Sequence, residues 1–225
     1  MAERISTKKI LIVAATQFET TLLRGWLEAE MLEQLEIQLL HTGVGMINCA
    51  FSLGEYVGQF GNPDLAIQIG VAGAFDQSSS LGSAVEVVEE CLPELGAESP
   101  EGFLTLESLG FPLLQWEGNN LFNSLPNPAP CFPQLPQSRA ATVNAVSGTH
   151  TGIERIRKDW NPDVESMEGA AFFHAMLKRN IPFAQIRGIS NYVEPRNRKA
   201  WKLQKAAEAA QGELWSFLQR IDNDS

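Results

Sequence analysis

What this chain lacks narrows the field before anything it contains is considered. It has only three cysteines, Cys49, Cys91 and Cys131, with no CxxC pair among them. An odd, widely spaced set excludes a disulfide framework, fits a reducing compartment and makes a cytoplasmic location the expectation. The three histidines, His41, His150 and His174, form no HExxH or similar ligand spacing, so no metal and no other cofactor is expected. Positive charge is also scarce: 17 basic residues face 27 acidic ones, for a formal net charge of −10. Nucleic acid and anionic membranes select positive patches and are thereby disfavoured as partners. No apolar run reaches the roughly 18 residues that a membrane span needs. The opening MAERISTKKI lacks the apolar core of a secretory signal.

What is present alternates between strand and helix patterns. Lys9–Ala15 (KILIVAA) is a short, continuous apolar run, as in a strand buried on both faces of a parallel sheet. After Gln17, residues Leu22, Leu23, Trp26, Leu27 and Met31 recur at helical spacing. Glu36–His41 reads as a second strand, Met46 to about Gly58 as a helix, and Leu65–Ile69 as a third strand. This order predicts an α/β fold: a single domain over residues 1–225, with a central, mixed, mostly parallel sheet flanked by helices. From Leu81 to Ala140 the pattern lapses. One strand is expected at Ala84–Val88, then an irregular, proline-rich insertion at about residues 89–140. Phe103, Leu104, Phe111, Leu113, Leu114 and Trp116 give it too many large apolar groups for a free linker. Beyond it come a strand at Ala141–Val146, a turn at Ser147–His150 and a helix to about Lys158. A further helix from near Ser166, a strand at Phe183–Ile189 and an amphipathic helix at Lys199–Arg220 complete the reading.

In open α/β sheets, ligands sit beyond the carboxyl ends of the strands. That rule nominates Thr16–Glu19, Thr42–Gly45, Gly70–Ala74, Ser147–His150 and Ser190–Glu194. Glu19 stands in the first turn of a helix, where it can complement the helix dipole or face the crevice. Glycines in the Gly43-Val44-Gly45 and Gly70-Val71-Ala72-Gly73 turns allow a ligand to approach the backbone closely. Neither is a phosphate loop, since no Lys-Ser/Thr follows and Asn48 stands where GxGxxG needs its third glycine. In Val164–Ala171 (VESMEGAA), Glu165 reads as a solvated residue near a helix start. Glu168 precedes closely packing small residues and needs a partner, for which vicinal sugar hydroxyls are suitable.

In order and spacing these segments resemble the nucleoside phosphorylase/nucleosidase superfamily. Ile10–Leu23 (ILIVAATQFETTLL) is similar to its first strand and catalytic-glutamate turn, and Thr42–Ala50 (TGVGMINCA) and Gln68–Ala74 (QIGVAGA) to its next two glycine turns. Ser166–Ala171 (SMEGAA) resembles its Met-Glu ribose motif, and Arg187–Tyr192 (RGISNY) its final base-binding turn, usually R-x-I-S-D. The resemblance implies that Glu19 orients and deprotonates a water, while Glu168 holds the ribose 2′- and 3′-hydroxyls with Met167 against the sugar. It implies that Asn191, beside Ser190, binds the purine and stabilises its departure. Val44-Gly45 and Ala72-Gly73 would shape the ribosyl and base pockets. Arg187 is either a buried salt-bridge partner or a ligand contact, and His150 either an ordinary helix-start residue or a ligand contact. A purine nucleoside and water are the implied small-molecule partners, and a homo-oligomer, dimer or larger, the implied assembly.

Two departures from the family pattern carry chemistry. Asparagine at position 191 presents an NH₂ donor to a 6-oxo group where an aspartate would suit adenine's 6-amino group. Gln68 stands where hexameric phosphorylases place a phosphate-binding arginine, which favours water as nucleophile. Within the superfamily, Ser190–Trp201 (SNYVEPRNRKAW) and Leu95–Glu98 look most like the futalosine hydrolases, which release hypoxanthine from futalosine on the alternative menaquinone pathway. Purine nucleoside phosphorylases, other purine nucleosidases and, more distantly, non-catalytic nucleoside-binding proteins remain as alternatives.

Overall fold

Ile10 to Ala14 are all buried, which makes the first strand the spine of a sheet covered on both sides. The computed structural model describes residues 7–224; the expectation about a secretion signal falls mainly on residues 1–6, outside the described residues. The chain opens with β1 (Lys8–Ala14), a 3-10 turn (Gln17–Thr20), α1 (Thr21–Ala29), β2 (Leu35–His41), α2 (Met46–Phe60), β3 (Leu65–Ala74) and β4 (Ala84–Cys91). Shorter elements follow: β5 (Gly96–Ser99), β6 (Gly102–Thr105), α3 (Leu106–Leu109), β7 (Leu114–Trp116), β8 (Asn119–Leu121) and β9 (Ser124–Pro126). Then come β10 (Gln137–Thr142), α4 (His150–Trp160), β11 (Val164–Ser166), α5 (Gly169–Arg179), β12 (Phe183–Tyr192) and α6 (Leu203–Asn223).

Eight strands form the main sheet in the order β11-β10-β4-β12-β3-β1-β2, with β9 on β4. It is mixed and mostly parallel, as the sequence predicts: β1–β2, β1–β3, β3–β12, β4–β10 and β10–β11 are parallel. Strand β12 runs antiparallel to β4, and β9 does too. The sheet is not open throughout. Strand β11 also pairs antiparallel with β3, so β3, β12, β4, β10 and β11 close into a ring.

Alternation along β1 divides the core. Ile10, Ile12 and Ala14 pack with Leu23 of α1 and with Leu214 and Leu218 of α6. Leu11 and Val13 point the other way, toward Leu53 of α2 and Phe172 and Phe173 of α5. Burying each such aliphatic or aromatic side chain stabilises by roughly 1.5–3 kcal/mol relative to exposure. Helix α6 lies tight on the sheet because Gly188 has no side chain; a Cβ there would stand 1.9 Å from the Ala206 carbonyl oxygen.

Several element boundaries differ from the sequence reading. Strands β3 and β12 run on through the segments read as turns, to Ala74 and Tyr192. The strand expected at Ala141–Val146 is β10, four residues earlier, hidden by its polar start of Gln137, Ser138 and Arg139. The Arg139 guanidinium is held there by Glu89 (3.3 Å), the Trp160 carbonyl (2.7 Å) and the Ser124 hydroxyl (3.1 Å). Residues Val164–Ser166 are strand, not the beginning of a helix, and α5 starts at Gly169. The stretch expected to be irregular holds two hairpins, β5–β6 and β7–β8, and lends β9 to the main sheet.

Candidate active site

The carboxyl ends of β1, β3, β11 and β12 converge on one cavity of about 370 Å³. Glu19 reaches it from the 3-10 turn after β1. Its Oε2 accepts from the Thr16 backbone N–H (2.9 Å) and hydroxyl (3.0 Å), and its Oε1 accepts from the Val71 N–H (3.3 Å). The side chain is thus clamped between two strand ends. Gly70 makes room for this, since a Cβ there would lie 2.8 Å from Glu19 Oε1.

Glu168, immediately before α5, lines the same cavity with Met167. Its Oε1 accepts from the Gly45 N–H at 2.8 Å, and among the described residues its Oε2 has no hydrogen-bond donor. Gly45 has φ +94°, a conformation that only glycine adopts without strain, so the turn before α2 is shaped to aim its N–H at this carboxylate. Val44, Ala72, Gly73, Ser190 and Asn191 also line the cavity, as expected from the sequence.

Asn191 owes its direction to a bulge. Ile189 pairs with Ala72 and Asn191 with Gly73, leaving Ser190 as an extra residue in β12. The Ser190 hydroxyl lies 2.7 Å from Asn191 Oδ1 and 3.1 Å from the Ala72 carbonyl oxygen. Asn191 Nδ2 donates to the Tyr192 carbonyl (2.9 Å), which leaves its second N–H unused. That nitrogen lies 2.9 Å from the position a Cβ on Gly73 would take.

Three expected site residues are elsewhere. Gly45 touches the site only through its bond to Glu168. His150 is the exposed first residue of α4, outside the cavity lining, where it starts a helix capped by Thr149. Arg187 is 1% exposed and lies beneath the floor, neither in the lining nor in a salt bridge. It donates to Gln68 Oε1 (2.9 Å) and, at 3.4 Å, to Gln185 Oε1. Gln185 Nε2 donates to Gln68 as well (2.9 Å). Gln68 is therefore committed to this buried network, not offered to a ligand.

Glu90 belongs to the same buried layer. Its Oε2 accepts from the Thr142 hydroxyl (2.7 Å), which in turn accepts from the Ala170 N–H (2.8 Å). Burial drives the Glu90 carboxyl up to about 7, against the opposing effects of Thr142 and Arg187. The Cys49 thiol is likewise pushed up to about 12 by burial, so it is an inert core group.

Sequence reasoning missed Glu165, Arg196 and Trp201, all in the lining; Phe18, also there, lies within the nominated Thr16–Glu19 turn. Glu165 is on a strand and 5% exposed, not solvated at a helix start. Its oxygens accept from the Ser147 N–H (2.8 Å) and hydroxyl (2.5 Å). Burial raises its carboxyl above the ordinary range, while the Ser147 bonds pull the other way. Arg196 stands over the Trp201 ring at 5.7 Å and is the only basic side chain in the lining among the described residues. Three carboxylates and one guanidinium leave the cavity electronegative, suited to a positive charge developing on a substrate and unsuited to an inorganic anion. A wider hollow of about 580 Å³ near Phe75, Arg157 and Asp163 contains none of the clamped carboxylates and offers no comparable chemistry.

A ring-closed, mostly parallel sheet with clamped carboxylates at its strand ends defines a class of nucleoside-cleaving proteins: the chain belongs to the phosphorylase superfamily, whose family model matches residues 12–219. Among named relatives it is similar to a futalosine hydrolase of Thermus thermophilus, 31% identical over 88% of this chain and 90% of that protein. A futalosine hydrolase of Streptomyces coelicolor is also 31% identical, over 76% of this chain and 74% of its own length. The fold matches a 5′-methylthioadenosine/S-adenosylhomocysteine nucleosidase from Colwellia psychrerythraea, solved with adenine. There the TM-score is 0.77 at 18% identity, over 96% of both chains.

Proposed function

We propose that this protein hydrolyses the N-glycosidic bond of a 6-oxopurine nucleoside, with futalosine as substrate and hypoxanthine as the released base. The observation that carries the reading is the convergence of Glu19, Glu168 and Asn191 on one electronegative cavity. Glu168 Oε2 is placed to accept from the ribose hydroxyls, with Met167 packing on the sugar. Glu19 orients a water toward C1′. As the C1′–N9 bond breaks, its electron pair leaves with the purine, which takes up a proton from solvent, balanced when Glu19 later returns to solvent the proton it takes from the water. The water oxygen bonds to C1′ and its proton passes to Glu19. The carboxylates stabilise the oxocarbenium-like sugar between these events. Asn191 donates its unused N–H to the base. The single cation of the rim, Arg196 on Trp201, suits the carboxyphenyl end of futalosine. With Gln68 tied beneath the floor, Arg196 is the one cation among the described residues lining the cavity, which supports water over phosphate as the nucleophile.

The reading includes a single domain over residues 1–225 acting in the cytoplasm, on the menaquinone route that consumes futalosine, and working as a homo-oligomer. Val44, Ile47 and Phe51 expose a continuous apolar edge beside the cavity, at 52, 83 and 65% exposure, which a second copy would cover. The decisive experiment incubates the protein with futalosine, inosine or methylthioadenosine, with and without phosphate. Hypoxanthine and free ribosyl sugar from futalosine are expected. Ribose-1-phosphate-type products, or release of adenine in preference to hypoxanthine, would overturn the proposal.

A further inference from the structure

The closure of the sheet brings together residues that neither end of the chain would place side by side. Across three neighbouring strands, Glu165 of β11 pairs with Gly73 of β3, and Gly73 pairs with Asn191 of β12. Residues paired in this way project to the same face of a sheet. Two strand spacings put the backbones of Glu165 and Asn191 about 10 Å apart. The residue between them is a glycine, and the space its Cβ would occupy is taken by Asn191 Nδ2 at 2.9 Å and Val193 Cγ2 at 3.1 Å, so the Asn191 amide leans over Gly73. Both flanking side chains line the cavity. The cavity thus has a donor on one side and an acceptor on the other, the arrangement that the two edges of a planar base require.

The two flanking groups have opposite hydrogen-bonding character. Asn191 has one N–H unused, while its Oδ1 lies 2.7 Å from the Ser190 hydroxyl. Glu165 is an acceptor held in place by the Ser147 N–H and hydroxyl, one on each oxygen. Each carboxylate oxygen has a second lone pair, so one more donor can be received without breaking either bond. This is a buried acid that touches the cavity and has no part in water activation or sugar binding.

We propose that Glu165 is a specificity-determining residue: its carboxylate accepts the ring N1–H of a 6-oxopurine while Asn191, two strands away, donates to the same base. Resting on the 6-oxopurine reading above, it accounts for discrimination at the second edge of the ring. A 6-aminopurine has an unprotonated N1, whose lone pair would face the carboxylate and leave two acceptors unpaired. Sites that hydrogen-bond one group reject its polarity inverse strongly for that reason.

The test uses free bases as competitive inhibitors of futalosine cleavage by the full-length protein. Hypoxanthine is compared with 1-methylhypoxanthine, identical except that the N1–H is replaced by methyl, and with adenine. Wild type should bind hypoxanthine at least about 10-fold tighter than either, the scale of one hydrogen bond to a charged group. The isosteric Glu165→Gln should shrink the hypoxanthine-to-adenine ratio about 10-fold or more, because an amide can turn to serve either N1. Glu165→Ala should remove the penalty on the methylated base. If wild type tolerates the N1 methyl, or if the ratios are the same in wild type and both variants, Glu165 does not read the base. The first comparison needs no variant, so misfolding of Glu165→Ala cannot spare the proposal. Preference for adenine over hypoxanthine in wild type would overturn the 6-oxopurine reading itself. Hypoxanthine preference with no effect of Glu165 overturns this inference alone.

Discussion

Two clusters of buried polar side chains meet at Gly70, and they are built on opposite plans. Beneath the floor, Arg187, Gln68 and Gln185 bond one another and Thr142 donates to Glu90, whose Oε1 has no partner among the described residues; none of the five lines the cavity. Above it, Glu19, Glu165 and Glu168 each have oxygens held by backbone N–H groups, and all three line the cavity. A Cβ on Gly70 would meet Arg187 from the first cluster and Glu19 from the second. The difference teaches how to tell architecture from chemistry among buried polar groups. The lower layer spends nearly all of its hydrogen-bonding capacity on the fold. An active cluster is positioned by the backbone and keeps capacity in reserve.

Substitutions in the two clusters should therefore fail in different ways. Glu19→Gln should lower kcat by about 10²–10⁴, the usual worth of a general base. Steady-state kinetics beside a thermal melt would show KM and Tm nearly unchanged; near wild-type turnover would remove Glu19 from the mechanism. Glu90→Gln should do the reverse, changing stability and sparing turnover. Burial keeps the Glu90 proton on to about 7, whereas an unfolded glutamate releases it near about 4.3. Its stabilising contribution is thus complete below about pH 4 and is lost as pH rises through 7. The amide should gain on the order of 2–3 kcal/mol over wild type at pH 8, shrinking toward pH 5, in denaturant titrations. A pH-independent difference would contradict a buried, titrating Glu90.

Smaller effects refine the division inside the cavity. Asn191→Asp should move the ratio of 6-oxopurine to 6-aminopurine cleavage by about 10-fold or more toward adenine nucleosides. Parallel assays with inosine and adenosine would expose an unchanged preference, which would detach Asn191 from base recognition. Arg196→Ala should raise KM for futalosine by a few-fold and leave inosine alone, as expected of a rim cation worth roughly 1 kcal/mol or less. The effect should fade with added salt. Equal losses on both nucleosides would show that Arg196 serves packing rather than the acid tail.

Much of this was legible in the sequence, for identifiable reasons. An unbroken apolar run marked β1, and a polar turn directly after it marked Glu19. Glu168 stood out because a carboxylate before Gly169, Ala170 and Ala171 has nowhere apolar to hide. Glu165 did not, because what gives it meaning is the β11–β3 pairing, a contact between segments distant in the chain. Arg187 was half legible: its burial followed from its place in an apolar strand, but its partners are amides on β3 and its own strand where an acid was expected. The start of β10 was invisible because Arg139 supplies a charge that tertiary partners, Glu89, Ser124 and the Trp160 carbonyl, make tolerable.

The extra residue in β12 has a consequence for how such a protein can change. Side chains in a regular strand alternate, so the identity of one position is bound to the packing of its neighbours. By stepping out of register at Ser190, the strand frees position 191 from the apolar alternation of Phe183–Ile189. What faces the ligand can then be exchanged without repacking what faces the core. The bulge thus acts as a joint between the residues that hold the sheet together and the one that borders the cavity.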